Sequence, residues 1–176
     1  MAADIPISNS VSLGSIHVPL DRITSATKLN LEVSIGRFSN DWDFWLYPAF
    51  LPDVESKDVV MANVLSTEVE QALAAGKSVL LLPDTSRVNS TVPPGFSSIF
   101  WNTAWTSKQP PHTLGILCDP QHPALKYFPT EYHSNWQWWD LITKSRAMIL
   151  DSLPPSLHPI IQVVDDWFTN RKLALI

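Results

Sequence analysis

Cys118, His133 and Glu131 are the residue types of a nucleophile, a base and an orienting acid, and together they would make a thiol hydrolase. The local wording argues against that use. A cysteine nucleophile sits in a tight turn between small residues, whereas Leu117-Cys118-Asp119-Pro120 supplies bulk, charge and a proline. Asp119 also disfavours the thiolate. Glu131, Asp140, Asp165 and Asp166 are acids of the kind that cleave glycosidic bonds in pairs, but no spacing among them marks out such a pair. His112, His122, His133 and His158 are scattered, with no two at metal-ligand spacing, and no glycine loop is present that would cradle a phosphate. These residues assign no catalytic group, no metal and no cofactor.

Tryptophan carries the stronger signal. The chain has 8 in 176 residues, and most fall in two clusters, Asn40-Asp41-Trp42-Asp43-Phe44-Trp45-Leu46-Tyr47-Pro48 and His133-Ser134-Asn135-Trp136-Gln137-Trp138-Trp139-Asp140. Flat indole faces stack on the C–H bonds of a pyranose while neighbouring amides, carboxylates and imidazoles take its hydroxyls. The candidate carbohydrate contacts are Trp101, Trp105, His133, Asn135, Trp136 and Trp138, with Asp165 and Asp166 at a strand end. On a helix opening at Ser134, Trp136 and Trp139 share a face and Trp138 points elsewhere, so Trp138 is expected to be the accessible ring. The competing use of every one of these rings is core packing.

The elements that must position these groups change in kind along the chain. Leu29, Leu31, Val33 and Ile35 alternate with polar residues, the period of a strand with one buried face. Ser12 to Leu20 and Asp41 to Tyr47 read as two further strands. From about residue 57 the pattern alternates strand and helix. Asp58 to Ala62 is a short apolar run, Thr67-Glu68-Val69-Glu70 has the spacing of a capping box, Gly76 sits where the helix should stop, and Ser78 to Leu82 is a buried strand. That is a β-α-β unit, which implies parallel neighbours. Buried strands are expected again at Thr113 to Cys118 and Pro159 to Val164, with a helix from Ser134 to about Leu150 between them. The resulting expectation is an α/β domain over 57–176, a parallel sheet with helices on both faces, preceded by antiparallel strands over 1–52 that end a β-sandwich-like domain. In such a sheet Asp84, Asp119, Asp165 and Asp166 would meet in one crevice beyond the strand ends.

Composition narrows the partners. A net charge of −5 gives no footprint for a phosphate backbone, so nucleic acid is not expected. No apolar run approaches the ~20 residues that span a bilayer, and no membrane association is expected. A single cysteine excludes an internal disulfide. With 15 prolines against 5 glycines, many connections should be rigid. The final Leu173-Ala174-Leu175-Ile176 reads as the start of a strand, so the α/β domain is expected to be cut at its C-terminus.

Five strings share wording with a known group: Asn40 to Pro48, Phe100-Trp101-Asn102-Thr103-Ala104-Trp105, Leu114 to Leu125, Phe128 to Trp139, and Asp165-Asp166-Trp167-Phe168-Thr169-Asn170-Arg171. Together they resemble the C-terminal region of large bacterial proteins of the glycoside hydrolase family 2 type, β-galactosidase-like or sugar-binding. The resemblance spans roughly residues 30 to 176. It implies an accessory module of flavodoxin-like, class I glutamine-amidotransferase-like topology beside β-sandwich domains, within a periplasmic or secreted parent acting on plant or host polysaccharide. The family's catalytic glutamates lie in a separate barrel, which at ~250 residues this chain cannot hold. The implied role is therefore non-catalytic, structural or carbohydrate-contacting, with the parent's catalytic and β-sandwich domains as partners. The alternatives are an assembly module forming a homo-oligomer, or an independent enzyme built on Cys118, His133 and Glu131.

Overall fold

In the computed structural model the described residues are 6–50, 57–88, 90–96, 113–167 and 169–176. The first regular structure is a β-hairpin of β1 (Thr27–Ile35) and β2 (Phe38–Leu46), paired antiparallel from Thr27 opposite Leu46 to Ile35 opposite Phe38. Its two-residue turn places Gly36 at φ 60°, a conformation that side chains with a Cβ resist. The alternation sorts the ribbon into two faces. Leu29, Leu31, Val33 and Ile35 stand with Phe38, Trp42 and Phe44 on one, and Lys28, Asn30 and Glu32 with Asp41, Asp43 and Trp45 on the other. The strand expected at Ser12 to Leu20 does not form. Its apolar residues Leu13, Ile16 and Val18 are exposed, because alternation without a partner ladder leaves the backbone to water, and Pro19 has no N–H to contribute.

The β-α-β unit is present. β3 (Val59–Ala62) and β4 (Ser78–Leu81) pair in parallel, and α1 (Thr67–Ala74) connects them. Ser66 rather than Thr67 caps the helix, its Oγ accepting from the Val69 N–H at 3.4 Å. Gly76, at φ 81°, closes the other end: its N–H donates to the Leu73 carbonyl at 2.9 Å and that of Lys77 to Ala72 at 3.0 Å. That is a Schellman closure, which satisfies carbonyls the last turn would leave unpaired.

The remainder departs from the sequence expectation. β5 (Thr113–Cys118), α2 (Trp139–Thr143), β6 (Met148–Ile149), β7 (Ile161–Asp165) and β8 (Leu173–Ala174) follow in the chain, and the four strands form one sheet in the order β5-β7-β8-β6. Every pairing in it is antiparallel. The flavodoxin-like, glutamine-amidotransferase-like α/β fold is therefore incorrect, and the parallel pairing is confined to β3 and β4 among the described residues. A parallel return needs a crossover of a dozen or more residues, usually a helix. Between β5 and β7 the chain provides only the 5-residue α2 and single 3-10 turns. The long helix expected from Ser134 to Leu150 is replaced by a 3-10 turn at Trp136–Trp138, α2, and β6.

Ile116 from β5, Ile161 and Val163 from β7, Leu173 from β8, Ile142 from α2 and Trp138 meet in the core. Thr113, at the start of β5, is also buried, its hydroxyl donating to the Gly95 carbonyl at 2.8 Å and accepting from the Gly95 N–H at 2.7 Å. Gly115 has φ 133°, a conformation that residues with a Cβ rarely adopt, and a Cβ there would crowd Ser134 Oγ at 2.5 Å and Phe96 Cβ at 3.3 Å.

Candidate functional site

Antiparallel pairing dissolves the crevice of acids. β5 and β7 run in opposite directions, Thr113 facing Asp165 and Cys118 facing Ile161, so Asp119 and Asp165 lie at opposite ends of the sheet. Asp84 follows β4 in the separate β3-β4 sheet, where its side chain accepts from the Ser86 N–H at 2.8 Å. Asp165 and Asp166 are buried and serve the connection from β7 to β8. Asp165 accepts from Arg171 Nε at 2.8 Å, Arg171 Nη2 at 3.1 Å, the Arg171 backbone N–H at 2.9 Å and Thr169 Oγ1 at 2.8 Å. Burial pushes its carboxyl pKa up, yet the hydrogen bonds from Arg171 and Thr169 outweigh that and hold it below the ordinary value. Asp166 accepts from the Thr169 N–H at 3.0 Å. Both acids hold a loop.

The thiol constellation is not assembled either. Cys118 Sγ donates to the Glu131 carbonyl at 3.3 Å, and burial together with the Asp119 charge raises its pKa, which favours the thiol. The Glu131 carboxylate faces away from it, toward Lys28 and Asn135. His133 packs edge-on against Tyr132 and its Nδ1 lies 3.0 Å from the Ser134 carbonyl oxygen. No group of three or more His, Cys, Asp or Glu able to hold a metal occurs among the described residues.

The 133–139 cluster forms a built surface, with the roles of its rings exchanged. Trp138 is buried, its Nε1 donating to Thr130 Oγ1 at 2.8 Å and its ring meeting Phe128 edge-on at 4.6 Å. Trp136 and Trp139 are the accessible rings, 73 % and 47 % exposed. Their centroids are 6.0 Å apart, and Phe96 contacts both edge-on, at 6.2 and 5.5 Å. Asn135 positions the pair: its Oδ1 accepts from the Gln137 N–H at 3.2 Å, opening the 3-10 turn that carries Trp136, while its amide donates to Glu131. Trp101 and Trp105 lie outside the described residues.

Two contacts that sequence did not indicate join this surface to the hairpin. Lys28 Nζ lies 2.7 Å from Asp43 and 2.5 Å from Glu131. Tyr47 donates from its hydroxyl to Gln137 Oε1 at 2.5 Å and stacks on Phe128 at 6.0 Å. Hydrogen bonds to Asp43 and Glu131 raise the Lys28 pKa. Burial raises that of Glu131, but Lys28 and Asn135 more than reverse the effect and leave it lowered. The partners are about a hundred residues apart in the chain, and the hairpin's alternation showed only that Lys28 shares a face with Asp43.

The fold and site together are β-rich: small antiparallel sheets carry an exposed indole pair on a 3-10 turn, tied to a hairpin. The chain belongs to the family described as Domain of unknown function (DUF8487), which matches residues 60–176. Residues 1–48 match a second one, Domain of unknown function (DUF8488), so Lys28–Glu131 and Tyr47–Gln137 each join one matched span to the other. No curated protein matches the chain. No helix among the described residues is long and apolar enough to cross a membrane.

Proposed function

We propose that this chain is a non-catalytic accessory region of a glycoside hydrolase, contacting carbohydrate through Trp136 and Trp139. The observation that carries the reading is the exposure of two indoles side by side at 73 % and 47 %, held by Phe96 behind them and by the Asn135 cap below. Exposed rings fixed by packing present a stacking surface at low entropic cost. The raised Cys118 pKa and the engagement of Glu131 by Lys28 and Asn135 weigh against the thiol enzyme. The resemblance to glycoside hydrolase family 2 proteins suggests the parent activity and a polysaccharide substrate.

Titrating the chain with a panel of neutral oligosaccharides while following tryptophan fluorescence tests this reading. Binding is expected, and a Trp136→Ala, Trp139→Ala double variant should lose it with an unchanged unfolding curve. No binding across the panel, or equal binding by the variant, overturns the proposal. A second reading, assembly, is favoured by the apolar hairpin face, on which Leu31, Ile35, Phe38 and Trp42 are all exposed. Light scattering separates the two: a mass above that of the 19.7 kDa chain that falls with Trp42→Lys supports assembly.

A further inference from the structure

Beside the Trp136–Trp139 surface an open cleft of about 570 Å³ runs between Lys28 and the segment 120–131. That volume is within the range of small-molecule sites. Its polar lining is rich in donors. His122 Nδ1 accepts from the Ala124 N–H at 3.2 Å, which leaves the proton of the neutral ring on Nε2. Lys28 spends two of its three N–H groups on Asp43 and Glu131. Lys126 has a contact with the Tyr127 ring at 5.3 Å and no carboxylate at ion-pair distance among the described residues. Gln121 adds a side-chain amide. The carboxylate in the lining, Glu131, has Oε1 on Lys28 and Oε2 on Asn135, so it is already compensated. Pro120, Pro123 and Pro129 give the walls rigid apolar faces suited to ring C–H groups.

We propose that this cleft binds a pyranose carrying an anionic substituent, a carboxylate or a sulfate ester, with Lys126 and the remaining Lys28 N–H taking the charge and His122 and Gln121 the ring hydroxyls. The proposal rests on the carbohydrate reading above but uses different residues. Asn135 connects the two surfaces, since it bonds Glu131 at the cleft and caps the turn that carries Trp136.

Calorimetric titration of the full chain with a uronate oligomer, a sulfated oligomer and their neutral counterpart, at one ionic strength, tests it. An anionic oligomer should bind at least about tenfold more tightly than the neutral one, and Lys126→Gln should remove most of that difference. The uronate and sulfate arms show which substituent the cleft takes. Trp136→Ala with Trp139→Ala should weaken the neutral oligomer and keep the anionic preference. Equal affinity for all three, or a preference untouched by Lys126→Gln, overturns the cleft proposal while leaving the indole surface standing. A preference abolished by free acetate or sulfate at equal concentration overturns the sugar assignment in favour of a simple anion site. Absence of binding by any of the three oligomers sinks both readings.

Discussion

At the residue scale, Asp165 shows what an acid in this chain is for. Its carboxylate is almost wholly withdrawn from water, 2 % exposed, and holds Arg171 through two parallel hydrogen bonds. Asp165→Asn would keep the shape and leave the Arg171 charge, itself 26 % exposed, without its partner. A loss of about 2 kcal/mol is expected, read as a lower midpoint in urea, because a pair is costly to break from one side. The pH dependence has a definite sign. Since the folded carboxyl pKa lies below its ordinary 3.8, the stabilisation is complete above that value and is lost as the pH falls through the lower, folded value. The wild type should therefore lose part of its stability below about pH 4, and Asp165→Asn should show a flatter acid limb. Equal acid limbs in the two proteins would contradict this.

At the scale of elements, the hairpin has one face on which no second layer packs among the described residues. Phe38 is 68 % and Trp42 49 % exposed, with Leu31, Val33 and Ile35 between them. An apolar patch on a two-stranded ribbon binds hydrophobic dyes, and such ribbons are marginal by themselves. Phe38→Ser with Trp42→Ser is expected to reduce anilinonaphthalene sulfonate fluorescence while the antiparallel register of Thr27–Ile35 and Phe38–Leu46 persists in amide exchange. Dye binding unchanged by both substitutions would place the accessible apolar surface elsewhere.

The hairpin and the β-α-β unit were legible in the sequence for local reasons. Alternation from Leu29 to Ile35 and the stop at Gly76 act within a few residues, as does the helix cap, which the sequence placed at Thr67, one residue after the Ser66 that serves. The direction of β7 was not legible, because Ile161, Val163 and Ile116 make buried apolar runs that suit a parallel or an antiparallel neighbour equally. Three-residue spacing put Trp136 and Trp139 together, but which side of the turn faced the core depended on Phe128 and Thr130, whose contacts with Trp138 are tertiary. The same holds for Asp165 and Asp166, whose partners Thr169 and Arg171 follow closely in the chain yet only meet them when the loop closes.

For the whole molecule, the decisive contacts are the few that bring Lys28 and Tyr47 to Glu131 and Gln137. Lys28 and Glu131 are 37 % and 29 % exposed, and solvent-screened pairs of this kind contribute modestly. Their effect should therefore appear in docking rather than in global stability. Lys28→Met with Tyr47→Phe is expected to raise hydrogen exchange of the β1 and β2 amides by roughly three- to tenfold while the β5 and β7 amides keep their protection. A uniform change in both sets would mean that hairpin and sheet open as one unit. The cleft stands at this same junction, so a ligand engaging Lys28 and Lys126 together would slow the opening of the hairpin.

The sheet order β5-β7-β8-β6 also bears on how the chain can be made. β8, at Leu173–Ala174, is an interior strand with β7 on one side and β6 on the other, and both its residues are buried. A ribosome delivers it after every other strand of that sheet. The hairpin and the β-α-β unit can form while synthesis proceeds, since their pairings are between near neighbours. β6 and the β5–β7 pair have no hydrogen-bonded bridge between them until residues 173 and 174 emerge. Until then the nascent sheet exposes two unfinished edges, which only β8 can join.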